Sequence, residues 1–136
     1  MQQELTINLK GNMKVDADIR GFKVSTDQPK HQNGDNTAPT PLEIFFASLG
    51  TCAGVNVADF CIERKISYKD IEIRMVIDRD DKTHAVQRIN LNIRVPPDFP
   101  PKYKGALLKV VDACAVKKTI KSQPEIVAAV IDGCKI

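Results

Sequence analysis

The chain has 136 residues, of which 43% are hydrophobic and 27% are charged, with a formal net charge of +3 at pH 7. This length allows one domain with a core of its own, so we expect residues 1–136 to form a single domain. The net charge is too small to favour a nucleic-acid partner. The N-terminus lacks the basic segment and the apolar segment of a signal peptide, so we expect a cytoplasmic protein.

Three short strands are predicted at the start of the chain. Apolar and polar residues alternate over 4–10 and again over 13–19, the period of half-buried strands. Between these runs, Gly11-Asn12 predicts a type II′ hairpin turn with glycine at its first central position. Gly21 ends the second run, and residues 22–25 predict a third strand. The chain therefore opens with an antiparallel meander, followed by a polar loop over 26–40.

A long helix is predicted next. Thr40 is a good N-cap, Pro41 suits the first helical position, and Glu43 completes a capping box. The fifteen residues from Ile44 to Ala58 include no charge, and apolar side chains surround the predicted helix on all sides. Fifteen residues are too few to cross a bilayer, which needs about 20. We therefore predict a long buried central helix and no membrane partner.

One face of this helix is polar. Its members recur at helical spacing and are Ser48, Cys52, Asn56, Asp59 and Glu63. A polar stripe that includes a thiol predicts a pocket beside the helix. The alternative, in which Cys52 is an ordinary small core residue, stays open from this segment alone.

The second half of the chain predicts a hairpin, a helix and a final strand. Alternation over 71–78 and 88–95 indicates a β-hairpin with one apolar face. A second helix is predicted from about 101 to 118, with Cys114 on its apolar face, and residues 125–131 predict a last, central strand. The order βββ-α-ββ-α-β with antiparallel pairing is an α+β fold. Because one sheet covers only one side of an all-apolar helix, we expect a second copy to cover the rest in an obligate homodimer.

The remaining cysteines and the histidines give no metal pattern. No pair of cysteines has C-x-x-C spacing, and both histidines lie far from every cysteine in sequence. Structural zinc sites normally show closely spaced ligand pairs, so we expect no metal and no cofactor. Cys61 lies on the same helix as Cys52 but about 13 Å along it, so the two cannot bond. We expect no role for Cys134.

Two segments resemble a known family. The stretch Thr-Pro-Leu-Glu-Ile-Phe-Phe-Ala-Ser-Leu-Gly-Thr-Cys, which ends at Cys52, and Asp-Ala-Cys-Ala-Val-Lys-Lys-Thr-Ile around Cys114 resemble the OsmC-like family. This family includes the organic hydroperoxide resistance proteins, and the resemblance covers nearly the whole chain. It implies an intertwined homodimer with its site at the subunit interface.

The resemblance also implies an activity. Cys52 would be oxidised by an organic hydroperoxide, or by hydrogen peroxide, to a sulfenic acid. Cys114 would resolve this acid to an intramolecular disulfide, which a dithiol reductant reopens. The implied role is defence against oxidative and osmotic stress.

Two further site residues follow from the resemblance. Organic hydroperoxide resistance proteins place an Arg from the N-terminal strands and a Glu from the start of the helix near the reactive thiol. The Arg position lies within one residue of Arg20. The Glu position falls on Leu42, while Glu43 matches its neighbour in the broader OsmC-like branch. Each candidate has a structural alternative, Arg20 as an exposed hairpin residue and Glu43 as the capping-box acid.

Two other functions stay open. A non-enzymatic OsmC-like module would bind a small apolar ligand at the dimer interface without using its thiols. A cysteine hydrolase or transferase would need a histidine and an acid beside the thiol, and no such set is visible in the sequence. A hydroperoxide should oxidise Cys52 and Cys114 if the protein is a peroxidase and should leave both thiols free if it is a binding module.

Overall fold

The alternating residues at the start of the chain form a three-stranded antiparallel sheet, β1 (Thr6–Gly11), β2 (Lys14–Ile19) and β3 (Phe22–Thr26), in that spatial order. Ile7 pairs with Ala17, which pairs with Val24, so apolar residues share one face. The predicted meander is confirmed. A computed structural model describes residues 1–133, and this sheet belongs to the first of two units, Met1–Ser48.

The first hairpin turn lies one residue later than predicted. Strand β1 extends through Gly11, and the register shifts between Leu9 and Gly11. The central residues of the turn are therefore Asn12 and Met13, with φ of 51° and 67°. Positive φ at both central positions is the mark of a type I′ turn, so the predicted type II′ turn is wrong.

The polar loop after β3 is organised by a buried carboxylate. Asp27 is fully buried, and its Oδ2 accepts the hydroxyl and the N–H of Thr37 at 2.6 and 3.0 Å. Its Oδ1 accepts the N–H of Gln28 at 2.7 Å, and Lys14 Nζ lies 3.6 Å from Oδ2. The hydrogen bonds from Thr37, followed by the one from Gln28, hold the pKa of Asp27 far below its ordinary value. These hydrogen bonds to the Asp27 carboxylate hold the loop in one conformation.

Helix α1 (Pro41–Glu63) begins in the first unit and continues into the second. The capping box is present, because the Glu43 N–H donates to Thr40 Oγ1 at 3.2 Å and the Thr40 N–H donates to Glu43 Oε1 at 3.0 Å. The helix has 23 residues and is apolar enough to cross a membrane by length and composition alone. This criterion is weak, since core helices of soluble proteins also meet it.

The core of the second unit, which begins at Leu49, packs α1 against a hairpin and a second helix. Strands β4 (Glu72–Arg79) and β5 (Val86–Arg94) pair antiparallel, which confirms the predicted hairpin. Helix α2 (Lys104–Asp112) supplies further core residues. The buried cluster consists of Ala53, Val57, Phe60, Cys61, Phe99, Leu107 and Val111.

The predicted helix over 101–118 is divided. A 3-10 turn, Pro101–Tyr103, leads into α2, and a third helix, α3 (Ala115–Ser122), follows it. At Cys114 the backbone has φ −56° and ψ 132°, which is extended and not helical. The chain therefore turns at the residue that the helical pattern placed in mid-helix.

The predicted strand over 125–131 is wrong. These residues form no regular structure, and Ile126 and Val130 are 93% and 96% exposed. A strand needs a neighbour for its backbone hydrogen bonds, and no strand within residues 1–133 pairs with this segment. The prediction about Cys134 lies outside the described residues.

The α+β class is confirmed, with antiparallel sheets and three α-helices in the described chain. Within the second unit, α1 buries one side, while Val55 and Ile62 on another side are 60% and 58% exposed. The second copy expected to cover such residues stays a prediction, as does the single domain.

Candidate active site around two cysteines

Two cysteines from different elements meet in the second unit. Cys52 lies within α1 and is half-buried, whereas Cys114 lies between α2 and α3 and is fully buried. Their side chains hydrogen-bond to each other. Cys114 Sγ also lies 3.9 Å from the carbonyl oxygen of Leu49, which precedes Cys52 by one turn of α1. The fold thus brings together two thiols that are distant in sequence.

The start of α3 faces the Cys52 sulfur. Cys114 is the N-cap residue of α3, and its own thiol makes no capping hydrogen bond. The backbone N–H groups of Val116 and Ala115 instead hydrogen-bond to the side chain of Cys52. N–H groups at a helix N-terminus lack partners inside the helix and carry partial positive charge, so they favour an anion.

These contacts act on the acidity of Cys52. The Val116 N–H, the Cys114 thiol and the Ala115 N–H together lower the pKa of Cys52 below its ordinary value, against the opposing effect of burial. A lowered pKa increases the thiolate fraction at neutral pH, and the thiolate is the nucleophilic form. Cys52 is therefore a half-buried thiol with a lowered pKa.

Local hydrogen bonds fix the joint between α2 and α3. The Ala113 N–H donates to the carbonyl oxygens of Lys109 and Val110, both at 3.2 Å, and closes the last turn of α2. The Lys118 N–H donates to the Cys114 carbonyl at 3.0 Å and opens α3. Lys117 forms an ion pair with Asp112 across the break. The change of direction at Cys114 is thus supported on both sides.

The polar stripe of α1 also contacts α2. Asn56, one turn after Cys52, donates from Nδ2 to the carbonyl oxygen of Val110 at 2.9 Å. Asn56, Asp59 and Glu63 line a groove of about 520 Å³ that Ala113 lines as well. The stripe predicted a pocket that includes the thiol; three of its five residues line this groove, whereas Cys52 does not line it.

Cys61 differs from the other two described thiols. It is fully buried in the core, and this burial raises its pKa. Cys61, and not Cys52, is therefore the cysteine that behaves as an ordinary small core residue.

Within residues 1–133, no group of three histidine, cysteine or acidic side chains is placed to hold a metal ion.

Arg20 and Glu43 lie in the first unit, and their observed contacts there are structural. Arg20 has φ 51° in the turn between β2 and β3, and its guanidinium carbon lies 5.4 Å from the ring centre of exposed Phe22. The Thr40 N–H, and then its hydroxyl, hold the pKa of Glu43 below its ordinary value. A role for either residue beside Cys52 stays a prediction. Leu42, at the position of the family acid, is 44% exposed.

Sequence reasoning missed two parts of this site. The activating N–H groups of Ala115 and Val116 have no sequence signal, because almost every residue carries such a group. Asn56 was visible in the polar stripe, but its partner, the Val110 carbonyl, depends on how α1 meets α2.

The family model of OsmC-like proteins matches residues 34–128. The chain belongs to the OsmC-like family. No curated protein matches the sequence.

Solved structures of OsmC-like and related proteins share the fold. A protein from Psychrobacter arcticus, described as osmotic stress induced and part of a detoxification response, has a TM-score of 0.75 at 15% identity over 88% of both chains. An OsmC-like protein from Mycoplasma pneumoniae has a TM-score of 0.70 at 18% identity, covering 90% of this chain and 89% of its own. An organic hydroperoxide resistance protein from Legionella pneumophila, also described as a redox protein, has a TM-score of 0.53 at 14% identity, with 89% and 90% covered.

Proposed function

We propose that this OsmC-like protein is a thiol-dependent peroxidase that reduces organic hydroperoxides, with hydrogen peroxide as a second substrate to test. The observation that carries the proposal is the contact between a half-exposed thiol of lowered pKa, Cys52, and a buried second thiol, Cys114. Membership of a family with relatives in hydroperoxide resistance supports the same chemistry and a role in oxidative and osmotic stress.

The reaction follows from the two thiols. The Cys52 thiolate attacks the distal peroxide oxygen, the O–O bond breaks, and the alkoxide leaves as an alcohol after taking up a proton. Cys52 is now a sulfenic acid, oxidised by two electrons. The Cys114 thiol attacks its sulfur, an S–S bond forms, and the hydroxyl leaves as water. A dithiol reductant then exchanges with this disulfide, becomes a cyclic disulfide and restores both thiols.

The surroundings of Cys52 suit this sequence of steps. Half-exposure gives a peroxide access to the sulfur, while the N–H groups of Ala115 and Val116 stabilise negative charge on it. The buried Cys114 contacts the sulfur that it must resolve. Arg20 and Glu43 are proposed, from the family resemblance, to add charged groups beside the thiol in the assembled protein.

The proposed active form is a homodimer in the cytoplasm. Exposed apolar side chains favour the dimer. In the first unit, Leu9 and Phe22 are 83% and 64% exposed, and in the second unit Val55 is 60% exposed. Covering these side chains would remove apolar surface from water. A reducing compartment supplies the dithiol reductant and keeps resting thiols free. Neither nucleic acid nor a membrane takes part.

One oxidation experiment tests the function. Reduced protein is titrated with cumene hydroperoxide, and peptide mapping by mass spectrometry identifies each disulfide. We expect an intramolecular Cys52–Cys114 disulfide at one equivalent, with Cys61 still free. Cys52→Ser should abolish peroxide consumption, while Cys61→Ser should behave like the wild type. If both thiols survive the titration, or if Cys52→Ser consumes peroxide at the wild-type rate, the non-enzymatic binding module is the better description.

A further inference from the structure

Asn56 is a polar residue that the proposed chemistry leaves without a task. It follows Cys52 by one helical turn on the same stripe of α1, and its Nδ2 donates to the Val110 carbonyl oxygen at 2.9 Å. This part-buried bond joins α1 to the last turn of α2, the turn from which the chain leads to Cys114.

The bond is not needed to satisfy the carbonyl. The Val110 oxygen already accepts the N–H of Ala113 at 3.2 Å, so it keeps a partner without Asn56. Asn56 is only half-buried, and water is therefore an available partner for its amide. The bond is a direct polar link between α1 and α2.

Such a constraint matters at this joint. Helix α3 has eight residues, too few to be stable alone, and its N-cap has no capping side chain. The alignment of Cys114 and of the first amides of α3 with Cys52 must therefore come from tertiary contacts. Asn56 supplies one such contact, one helical turn after Cys52.

We infer that Asn56 is a positioning residue for the redox pair, holding α1 against the end of α2 so that the Cys52 sulfur meets Cys114 and the N-terminal amides of α3. The inference rests on the proposed function and adds to it a residue that touches neither thiol. It explains why a polar side chain follows the reactive cysteine on the face turned towards α2.

The test uses two substitutions in the full-length protein. Asn56→Ala removes the donor and the volume, whereas Asn56→Leu removes the donor and keeps a similar volume. Ile73→Val is the matched control, because it weakens the packing of β4 on the same core without touching the joint. Thermal unfolding ranks the stability of all variants.

The first readout is the pH dependence of Cys52 alkylation by iodoacetamide, resolved by mass spectrometry, and it requires no peroxidase activity. In both Asn56 variants we expect the midpoint to move upward by about half a pH unit. The second readout is the equilibrium between the Cys52–Cys114 pair and dithiothreitol. We expect disulfide formation to become about five- to tenfold less favourable, because a looser joint lowers the effective concentration of the Cys114 thiol at the Cys52 sulfur. The control should match the wild type in both readouts.

The outcomes distinguish a failure of the positioning role of Asn56 from a failure of the proposed peroxidase function. If Asn56→Leu keeps the wild-type midpoint and equilibrium, Asn56 does not position the pair. If Ile73→Val shifts both readouts as much as the Asn56 variants, the effect is general destabilisation and the inference is wrong. Should Asn56→Ala fail to fold, Asn56→Leu decides. A wild-type protein that forms no Cys52–Cys114 disulfide contradicts the peroxidase, while the alkylation profile still tests the positioning of Cys52.

Discussion

Asp27 in the first unit and Cys52 in the second are both acidic side chains held by backbone N–H groups. Asp27 accepts the N–H groups of Gln28 and Thr37 together with the Thr37 hydroxyl, and it is fully buried. Cys52 receives the N–H groups of Val116 and Ala115 but is only half-buried. In both cases the contacts lower the pKa of the side chain.

The comparison shows that an activated acid is not in itself a reactive site. Asp27 is enclosed, both of its oxygens accept hydrogen bonds, and these bonds connect the two ends of a loop segment. Cys52 keeps access to solvent and lies beside a second thiol, so its anion has both a route for substrate and a partner for the oxidised product. Exposure and the neighbour, more than the lowered pKa, separate the structural anion from the chemical one.

The largest effect is expected from removing the partner thiol, which takes away one half of this distinction. In Cys114→Ser, the Cys52 sulfenic acid has no thiol in contact, and an external thiol must replace a group of high effective concentration. Resolution should slow by at least about 100-fold, while the first oxidation of Cys52 continues. Dimedone labelling of Cys52, followed over time by mass spectrometry, measures this.

Cys61→Ser is the control for that experiment, because Cys61 is buried in the core and has a raised pKa. It should leave no labelled sulfenic acid under the same conditions. Rapid loss of the sulfenic acid in Cys114→Ser without added thiol, measured as less labelling when dimedone is added at later times after oxidation, would show that another group resolves Cys52.

A smaller effect, on stability, is expected from Asp27→Asn. The amide presents N–H groups where the carboxylate accepts them, so the loop over 26–40 loses its organising contacts, and Tm at pH 7 should fall by more than about 5 °C. Because the folded-state pKa of Asp27 lies below its unfolded value, its contribution is present above the unfolded pKa of about 4 and is lost as pH falls through the folded pKa. The Tm difference from wild type should therefore shrink in acid.

Asp81→Asn, in an exposed turn, is the matched charge control and should change Tm by less than about 2 °C. Differential scanning calorimetry between pH 7 and strongly acidic pH provides both comparisons. A difference for Asp27→Asn that grows as pH falls would contradict the assigned role of the carboxylate.

The elements that sequence reasoning predicted correctly are those with a local signal. The capping box of Thr40 and Glu43 defines the start of α1, and strict alternation defines both hairpins. The break at Cys114 has no such signal, because Val-Asp-Ala-Cys-Ala-Val contains neither glycine nor proline and continues a helical pattern. Contacts of Cys114 with Cys52 and Leu49, which a sequence does not display, accompany the change of direction.

The same limit applies to the predicted last strand and to the site. Apolar residues over 125–131 match a strand, but a strand exists only beside another, and pairing is a property of the assembled structure. Within the site, Cys52 and Cys114 were identified from motif and resemblance. The N-terminus of α3, which lowers the pKa of Cys52, was not identified. It exists only because the predicted second helix is divided into α2 and α3.

The smallest expected effect tests that helix end directly. Ala115→Pro removes the N–H of Ala115, the weaker of the two amide contacts with Cys52. Proline suits this site, because Ala115 is the first residue of α3 and Cys114 has ψ 132°, a conformation that favours a following proline. The pKa of Cys52 should rise, measured as an upward move of the pH midpoint of its alkylation. Ala115→Ser keeps the N–H and should match the wild type, with circular dichroism confirming that α3 is retained in both variants. An unchanged midpoint in Ala115→Pro would leave only the Val116 amide and the Cys114 thiol to distinguish Cys52 from a passive cysteine.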